Sequence, residues 1–409
     1  MKKIVIVDDD PCMRELVTEL LKPRYKVLSA EDGLAGLEMV KKEAPDLVVL
    51  DVLMPRMHGF EVCKRIRQDE NLKDIKVLIL SSKSYPHDIK TASEAGADIF
   101  VVKPFEIDNF LEEIAALLNG EKKPVKLQFR GTRGSVPAPG PQTQRYGGNT
   151  PCTELRIGNQ LFIIDAGTGL RDLGNSLLKE YQDKPIEGHI FIGHTHWDHI
   201  QGFPFFMPLY QEKNKFTIYG AHGTTLSLKE VMSGQMNPAY FPVRLDEIAS
   251  QLQFFELTDA INLNKVRISY HYLNHPGITI GFRFETKNCT LSYLSDHEPY
   301  GKLNNKGEFS RKEDDDIAKF VAGSDLLISE AQYTDEEYKI KKSWGHSTFS
   351  DVLGLAAKAK VKRLALFHHD PLHTDEMMDR FINECREHIA KTGQKLDCFG
   401  AKEGMTLSF

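Results

Sequence analysis

"FIGHTHWDHIQGF", residues 191–203, sets four candidate metal ligands, His194, His196, Asp198 and His199, within six positions. The apolar run "HIFIG" (189–193) that leads into it reads as a buried strand, so the ligands begin where that strand ends. On a strand, alternate residues point to one side, which lets His194 and His196 share one ion. Asp198 and His199, on the turn beyond, point elsewhere and suit a second ion. Two cations a few ångströms apart need bridging anions between them, usually a carboxylate and a water. Further ligands are therefore expected downstream.

Three candidates stand just past strand-like runs: His275 in "LNHPG", Asp296 in "YLSDHEP" and His368 in "LALFHHDP". Each alone reads as a surface or capping residue, and His222, His271 and His388 show that loose histidines occur in this chain. The recurrence after apolar runs is what points to a site. His369 is a second candidate beside His368, and His369 and Asp370 suit groups that orient it. His297, next to Asp296, reads either as a substrate contact or as an exposed residue. Around these positions, from residue 127 onward, strand-like segments ("LQFRGTRGS", "KFTIYG", "VRISYHYLN", "ITIGFRFE", "CTLSYLSD") are interrupted by helical ones ("DDDIAKFVAG", "TFSDVLGLAAKAK"). That texture predicts α/β or α+β layers on mixed sheets.

The first 120 residues differ. "KIVIV", "KVLSA", "DLVVLDV", "KVLILSS" and "DIFVVKP" are continuous apolar runs, as strands buried on both faces should be. Amphipathic segments separate them: "PCMRELVTELL", "GLAGLEMVKK", "GFEVCKRIRQ", "DIKTASEAGA" and "EIDNFLEEIAALL". Five such units predict a doubly wound parallel sheet whose active rim lies at the strand C-termini. That rim would gather Asp8, Asp9 and Asp10 after the first strand, Asp51 after the third, Ser81 after the fourth and Lys103 after the fifth. Clustered carboxylates suit Mg²⁺ when phosphate is also present, and an aspartate there can accept a phosphoryl group. The polar stretch "NGEKKPVK" (119–126) then separates this region from the rest.

Residues 1–120 resemble the response-regulator receiver domain, most specifically in "DVLMPRMHGFEV" and "VVKPF". The resemblance implies that Asp51 is the phosphoacceptor and that a sensor histidine kinase is the phosphodonor. It implies that Asp8 and Asp9 complete an acidic Mg²⁺ pocket with Asp51, Asp9 being a direct ligand, and that Lys103 contacts the phosphoryl group. Ser81 takes the hydroxyl switch position and Phe100 the aromatic one, a place often held by Tyr. Residues 121–126 then read as a linker. From 127 to 409 the HxHxDH signature, the Gly-bounded His, the lone Asp and the late His resemble the metallo-β-lactamase superfamily of dinuclear hydrolases. The resemblance implies an αββα sandwich with the site at one edge of its two sheets. His194, His196 and His275 would hold one metal, and Asp198, His199 and His368 the other, with Asp296 bridging. His368 is preferred to His369 because the last ligand in that family directly follows a strand.

"RGTRGSVP", "YGGNTPC", "LLISEAQY" and "WGHST" are similar to the phosphodiesterase-type members of that superfamily, including RNase Z and the phosphoribosyl cyclic phosphodiesterase. There, residues placed like Glu330 and His346 form a pair beside the metals. A carboxylate-oriented imidazolium can protonate a leaving alkoxide, so His346, Glu330 and Asp198 are the expected catalytic groups. The bland reading makes His346 a cap on a helix starting near Ser347. Asp296 follows His275 by 21 positions, too few for the long tRNA-gripping arm that bacterial tRNA-processing relatives carry there. The long interval is 200–274, with "FPFFMPLY" and "MSGQMNPAYFPV". It supplies either a lid or wall on which a base stacks, or core and homodimer packing.

Charge narrows the partners. Residues 1–120 hold 17 Lys and Arg against 22 Asp and Glu, and the remainder 35 against 36, so neither part has the basic excess that long nucleic acid requires. No apolar run approaches the roughly 18–20 residues of a membrane span. The start "MKKIVIVDDD" is unlike a signal peptide, and six scattered cysteines form no CxxC pair, which suits a reducing cytoplasm. The expected function is a response regulator whose output domain hydrolyses a small phosphodiester, most simply a 3′,5′-cyclic nucleotide such as cAMP or cGMP. Lactone, ester or thioester hydrolysis, RNA processing and a non-enzymatic effector are the alternatives. Mixed His/Asp sites accept Zn²⁺, Mn²⁺ or Fe²⁺.

Overall fold

The architecture is taken from a computed structural model, which describes residues 1–82, 91–92, 94–103, 105, 107–119, 125–223, 225–304 and 307–409, without the side chains of Asp108, Asn109 and Glu112. Pro104, part of the helical reading "DIKTASEAGA" and linker residues 121–124 lie outside the described residues. The chain divides into two compact units.

The first is built on β1 (Lys3–Val7), β2 (Lys26–Ala30), β3 (Leu47–Asp51), β4 (Lys76–Ser81) and β5 (Ile99–Val102). They form an all-parallel sheet in the order β2-β1-β3-β4-β5. Strand alternation feeds two cores. Val5, Val7, Val48, Leu50, Val77 and Ile79 face one, and Ile4, Ile6, Leu47, Val49, Leu78 and Leu80 the other. Helices Gly33–Glu43 and Gly59–Gln68 close the first core, and helices Pro11–Leu21 and Ile107–Asn119 the second. Asp10 and Asp32 cap their helices, accepting from the N–H of Cys12 and of Leu34 and Ala35. Gly59 is required by contact, since a Cβ there would lie 2.1 Å from the Asp51 carbonyl oxygen.

From residue 125 onward the chain forms two seven-stranded sheets. In chain order the strands are β6 (Val125–Gly131), β7 (Cys152–Ile157), β8 (Gln160–Ile164), β9 (Glu187–Phe191), β10 (Lys215–Ala221), β11 (Gln251–Leu257), β12 (Ile261–Leu263), β13 (Val266–Leu273), β14 (Thr279–Glu285), β15 (Thr290–Leu294), β16 (Leu326–Glu330), β17 (Arg363–Phe367), β18 (Asp397–Gly400) and β19 (Thr406–Ser408). One sheet runs β11-β10-β9-β8-β7-β6-β19 and the other β12 through β18 in sequence order. Aromatics fill the space between them: Phe162 meets Phe284 edge-on at 5.9 Å between centroids, and Phe191 meets Phe282 at 5.4 Å. Leu170, Leu173 and Leu177 of helix Gly169–Tyr181 and Met232 of helix Leu228–Gln235 cover the outer face of the first sheet. Helices Glu308–Phe320, Phe349–Lys358 and Asp375–Thr392 cover that of the second through Ile317, Val352, Leu353, Met378 and Ile382. The result is an αββα sandwich.

Some expectations change. β6 stops at Gly131 rather than running to Ser135, and the helix read as "DDDIAKFVAG" starts earlier, at Glu308. In the interval 200–274, Phe203, Phe206, Met232 and Met236 are buried in the core on the first sheet, so they are not a lid. Among the described residues no helix is long and apolar enough to cross a membrane.

Candidate metal centre

β8, β9 and β10 run parallel, as do β15 to β18, and their C-terminal ends supply the site. Asp165 follows β8, the HxHxDH segment follows β9, His275 follows β13, Asp296 follows β15, Glu330 ends β16 and His368 follows β17. β9 ends at Phe191, so His194 and His196 meet through a bend and not through strand alternation. Their rings are 4.6 Å apart between centroids. His196 is the N-cap residue of the one-turn helix Trp197–Ile200, which carries Asp198 and His199.

Besides a set of Glu330, His346 and His368, donor atoms converge within 4.8 Å in two larger groups: His194, His196, His275 and Asp296 in one, and Asp198, His199, His368 and Asp296 in the other. Asp296 belongs to both. Its Oδ2 lies 3.2 Å from His194 Nε2 and 3.8 Å from His275 Nε2, while its Oδ1 lies 3.3 Å from His368 Nε2 and 3.5 Å from His199 Nε2.

Whether these groups suit cations is decided by where the imidazole protons go. His199 Nδ1 faces the Asp165 carboxylate at 2.8 Å, and His275 Nδ1 faces the Gly345 carbonyl at 2.8 Å. Both partners only accept, so each Nδ1 carries hydrogen and each ring turns its Nε2 inward, the atom left to ligate a cation. His368 Nδ1 faces Gln332 Oε1 at 2.9 Å with the same consequence. These atoms meet acceptors or one another: His199 Nε2 is 3.2 Å from His368 Nε2, and His275 Nε2 is 3.1 Å from His196 Nδ1. His194 Nε2 and Asp296 Oδ1 are buried without hydrogen-bond partners. Two clusters of inward imidazole nitrogens around a buried carboxylate fit two cations well.

Electrostatics agree. Burial alone would lower the pKa of His199, but Asp198, Asp165 and Asp296 raise it well above the usual 6.5. Burial would raise Asp296, yet the imidazoles of His368, His199 and His194 hold it well below the usual carboxylate range. Positive charge is thus strongly favoured at this spot. Burial takes His194 down to about 4 and His275 to about 3, which leaves both rings neutral and able to ligate.

Backbone strain and close approach hold the site. Asp165 and His368 have φ of 61° and 57°, unusual for residues with a Cβ and a cost accepted at functional turns. A Cβ on Gly134 would lie 2.4 Å from His368 Nδ1, and one on Gly345 would lie 2.2 Å from His275 Nδ1. Ser135 N–H donates to Asp198 Oδ2 at 2.8 Å. The fully buried Arg133 anchors this loop by donating to the carbonyls of Gly147, Asp370 and His373. Arg133→Met strands three buried acceptors, and we expect it to cost about 3 kcal/mol and lower Tm by several degrees. A thermal melt unchanged within a degree would contradict this.

Glu330 and His346 lie beside the second group, with His346 Nδ1 3.7 Å from Glu330 Oε2 and 4.0 Å from Asp296 Oδ2. Glu330 also accepts from the N–H of Ser347, His297 and Gln332. Burial lowers His346, but Asp296 and Glu330 more than offset it, so its pKa lies above the usual 6.5. Burial raises Glu330 against the pull of His346. The His346 ring stacks on His368 at 5.3 Å and meets Tyr333 edge-on at 5.5 Å. It caps no helix: Thr348 is the N-cap of Phe349–Lys358, in a capping box with Asp351.

Three residues differ from their expected roles. His369 turns away, its Nε2 donating to the Ala401 carbonyl at 2.9 Å, and Asp370 pairs with Lys341 at 2.7 Å. Gln332, not these two, orients His368. His297 is buried, neither exposed nor open to substrate, and its Nδ1 accepts the Asn274 N–H at 3.1 Å. Asp165 escaped the sequence reading altogether, although "IDAGTG" places an acid where a strand ends. It is fully buried and also accepts from Gly193 N–H and Tyr293 OH.

In the first unit the strand ends also converge. Lys103 Nζ donates to Asp51 Oδ1 at 2.6 Å and Asp8 Oδ2 at 2.7 Å, and Leu53 N–H donates to Asp51 Oδ2 at 2.7 Å. Asp9 is exposed beside them, Ser81 is buried at the end of β4, and Phe100 is buried in β5. Burial raises the pKa of Asp51 while Lys103 opposes it. This oxygen-rich rim is chemically suited to Mg²⁺.

Residues 161–369, half of the chain, match the beta-lactamase superfamily domain, and the chain belongs to that superfamily. Residues 4–115 match the response regulator receiver domain, so the protein is a receiver fused to a metallo-β-lactamase-fold domain. That fold implies divalent metal ions, and with them a hydrolase. Over the receiver, the chain is 39% identical across 119 residues to the DNA-binding dual master transcriptional regulator RpaA of Synechocystis sp., covering 29% of this chain and 49% of that protein. The chain spans about half the length of the curated relatives it matches. The metallo-beta-lactamase fold protein YhfI from Bacillus subtilis superposes with a TM-score of 0.51 at 19% identity, covering 70% of this chain and 100% of that one. At that identity the likeness speaks for the fold. Human tRNase Z, short form, gives a TM-score of 0.47 at 20% identity, over 69% of this chain and 98% of that one.

Proposed function

We propose that residues 1–120 act as a receiver, joined through 121–126 to a dinuclear metal-dependent phosphodiesterase over 127–409. The substrate we propose is a small phosphodiester such as a 3′,5′-cyclic nucleotide. The observation that carries this reading is Asp296, one oxygen facing each ligand group, with His346 4.0 Å away. His194, His196 and His275 would hold one cation and Asp198, His199 and His368 the other, with Asp296 shared. Bound there, Zn²⁺, Mn²⁺ or Fe²⁺ would activate a water and neutralise phosphate oxygens.

The chain's own residues do the rest. Asp165, Gly345 O and Gln332 each accept the Nδ1 hydrogen of an imidazole and so aim the Nε2 atoms of His199, His275 and His368 inward. Ser135 N–H holds Asp198. His346, protonated and backed by Glu330, can deliver a proton to the departing oxygen. An alkoxide leaving a phosphodiester needs that proton more than the thiolate leaving a thioester does, which favours the phosphodiester over the thioester. The test is turnover of bis(p-nitrophenyl) phosphate, cAMP and lactones by protein of measured metal content. Phosphodiester turnover is expected; lactonase activity alone would overturn the reading.

A sensor histidine kinase would phosphorylate Asp51, with Asp8 and Asp9 holding Mg²⁺ and Lys103 on the phosphoryl oxygens. Ser81 and Phe100 would report the change as the switch pair. Beryllofluoride with Mg²⁺ is expected to change kcat/KM for the phosphodiester, and Asp51→Asn to remove the response while leaving the unstimulated rate. Equal rates with and without beryllofluoride would refute coupling.

A further inference from the structure

The chain has two tryptophans, and both are exposed: Trp197 by 67% and Trp344 by 60%. Indole is the largest apolar surface a side chain can offer, and leaving two in water forgoes a large burial gain. Their positions suggest what covers them. Trp197 follows His196 and opens the one-turn helix that carries Asp198 and His199. Trp344 precedes Gly345, whose carbonyl accepts the His275 Nδ1 hydrogen, and stands two residues before His346. His275 Nε2 is 3.1 Å from His196 Nδ1, so each tryptophan is the chain neighbour of a residue that belongs to or holds one histidine pair. His196 is also the exposed member of its ligand group. This is the open side of the centre. In the interval 200–274, Phe203, Phe206, Met232 and Met236 point into the core, while Phe205, Met207 and Tyr240 are exposed.

We propose that Trp197 and Trp344 form an aromatic clamp at the mouth of the centre that stacks on the base of a nucleotide phosphodiester. The clamp would select nucleoside esters over alkyl ones. This rests on the phosphodiesterase reading and deepens it by naming the groups that would recognise the nucleoside part of the substrate. A base has a flat π face whatever its identity, so stacking recognises the class without requiring a hydrogen-bond code. The phosphate, drawn to the cations, and the base, held between indoles, would together fix the scissile bond at two points.

Two measurements test it separately. The tryptophans are the chain's whole indole fluorescence, so the metal-loaded full chain can be titrated with AMP, ribose 5-phosphate and inorganic phosphate. AMP should quench saturably and the other two should not. In the kinetic arm, thymidine 5′-(p-nitrophenyl phosphate) and methyl p-nitrophenyl phosphate share a leaving group and differ in the base. Trp197→Ala and Trp344→Ala should each lower kcat/KM for the nucleoside ester roughly 5- to 100-fold more than for the methyl ester. Phe at either position should restore most of the difference. An equal fall for both esters, or quenching by all three titrants alike, would overturn the clamp. So would fluorescence that shifts with protein concentration and ignores AMP, which would identify a second copy as the occupant. If no phosphodiester is turned over, the function reading fails while the AMP titration still decides the clamp.

Discussion

Asp296→Asn is expected to reduce bound metal from two ions per chain to one or none and to lower phosphodiester turnover by roughly 10³-fold or more. The substitution keeps the shape of the side chain and removes its charge and one ligating oxygen. No other residue can compensate, because Asp296 is the member common to both ligand groups. Each of its oxygens faces different imidazoles, with His194 and His275 near Oδ2 and His368 and His199 near Oδ1. An amide would present a nitrogen with two hydrogens to one of those groups, where a cation has to sit. Loss of several kcal/mol of charge stabilisation at about 1.4 kcal/mol per decade gives the expected factor. The metal-free fold should survive, since a buried carboxylate is exchanged for a neutral isostere and Asp198 Oδ2 still faces His199 and His368 Nε2 at 3.3 and 3.0 Å. Metal analysis and thermal melts therefore separate a lost site from a lost fold. A variant that keeps two ions and turns over within tenfold of the parent would refute the shared role.

The candidate ligands are readable in the sequence because one physical feature both marks and gathers them. A parallel strand is a continuous apolar run, and its C-terminal end is where a polar residue first reaches the rim. Asp296 and His368 each stand at such an end, and His275 stands just past β13, which pairs antiparallel with β12. The same logic makes the receiver rim legible through Asp8, Asp51, Ser81 and Lys103. Orienting groups carry no such mark. Asp165 acts through partners 28, 34 and 128 positions away, namely Gly193, His199 and Tyr293, and no local pattern joins them. Gln332 has the same difficulty, with His368 36 positions off. The bend after Phe191 is hidden for another reason, since "HTHWDH" alternates well enough to pass for a strand. In "FPFFMPLY" two prolines impose short 3₁₀ turns, a period neither strand nor helix templates detect, so buried Phe203 and Phe206 look like candidates for a lid.

His346→Ala is expected to cost roughly 10²- to 10⁴-fold in turnover of a cyclic nucleotide but no more than about tenfold with bis(p-nitrophenyl) phosphate. The contrast follows from the leaving group. A ribose hydroxyl cannot depart as a bare alkoxide near neutral pH, whereas p-nitrophenolate can, so only the first needs a proton in the transition state. His346 is placed to give it, because Asp296 and Glu330 keep its pKa above the usual 6.5 despite deep burial. Glu330 in turn is fixed by three backbone N–H donors, of Ser347, His297 and Gln332, and so cannot swing away when the proton leaves. Glu330→Gln should then show the same leaving-group contrast at smaller size, since it weakens the imidazolium without removing it. The His346 ring also stacks on His368, and truncation could loosen that ligand. His346→Gln, which fills most of the space, controls for this: a proton-transfer role predicts that it resembles the alanine variant, with both metals retained. Equal losses on the two substrates, with metal content intact, would assign His346 to binding or packing and remove the general acid from the mechanism.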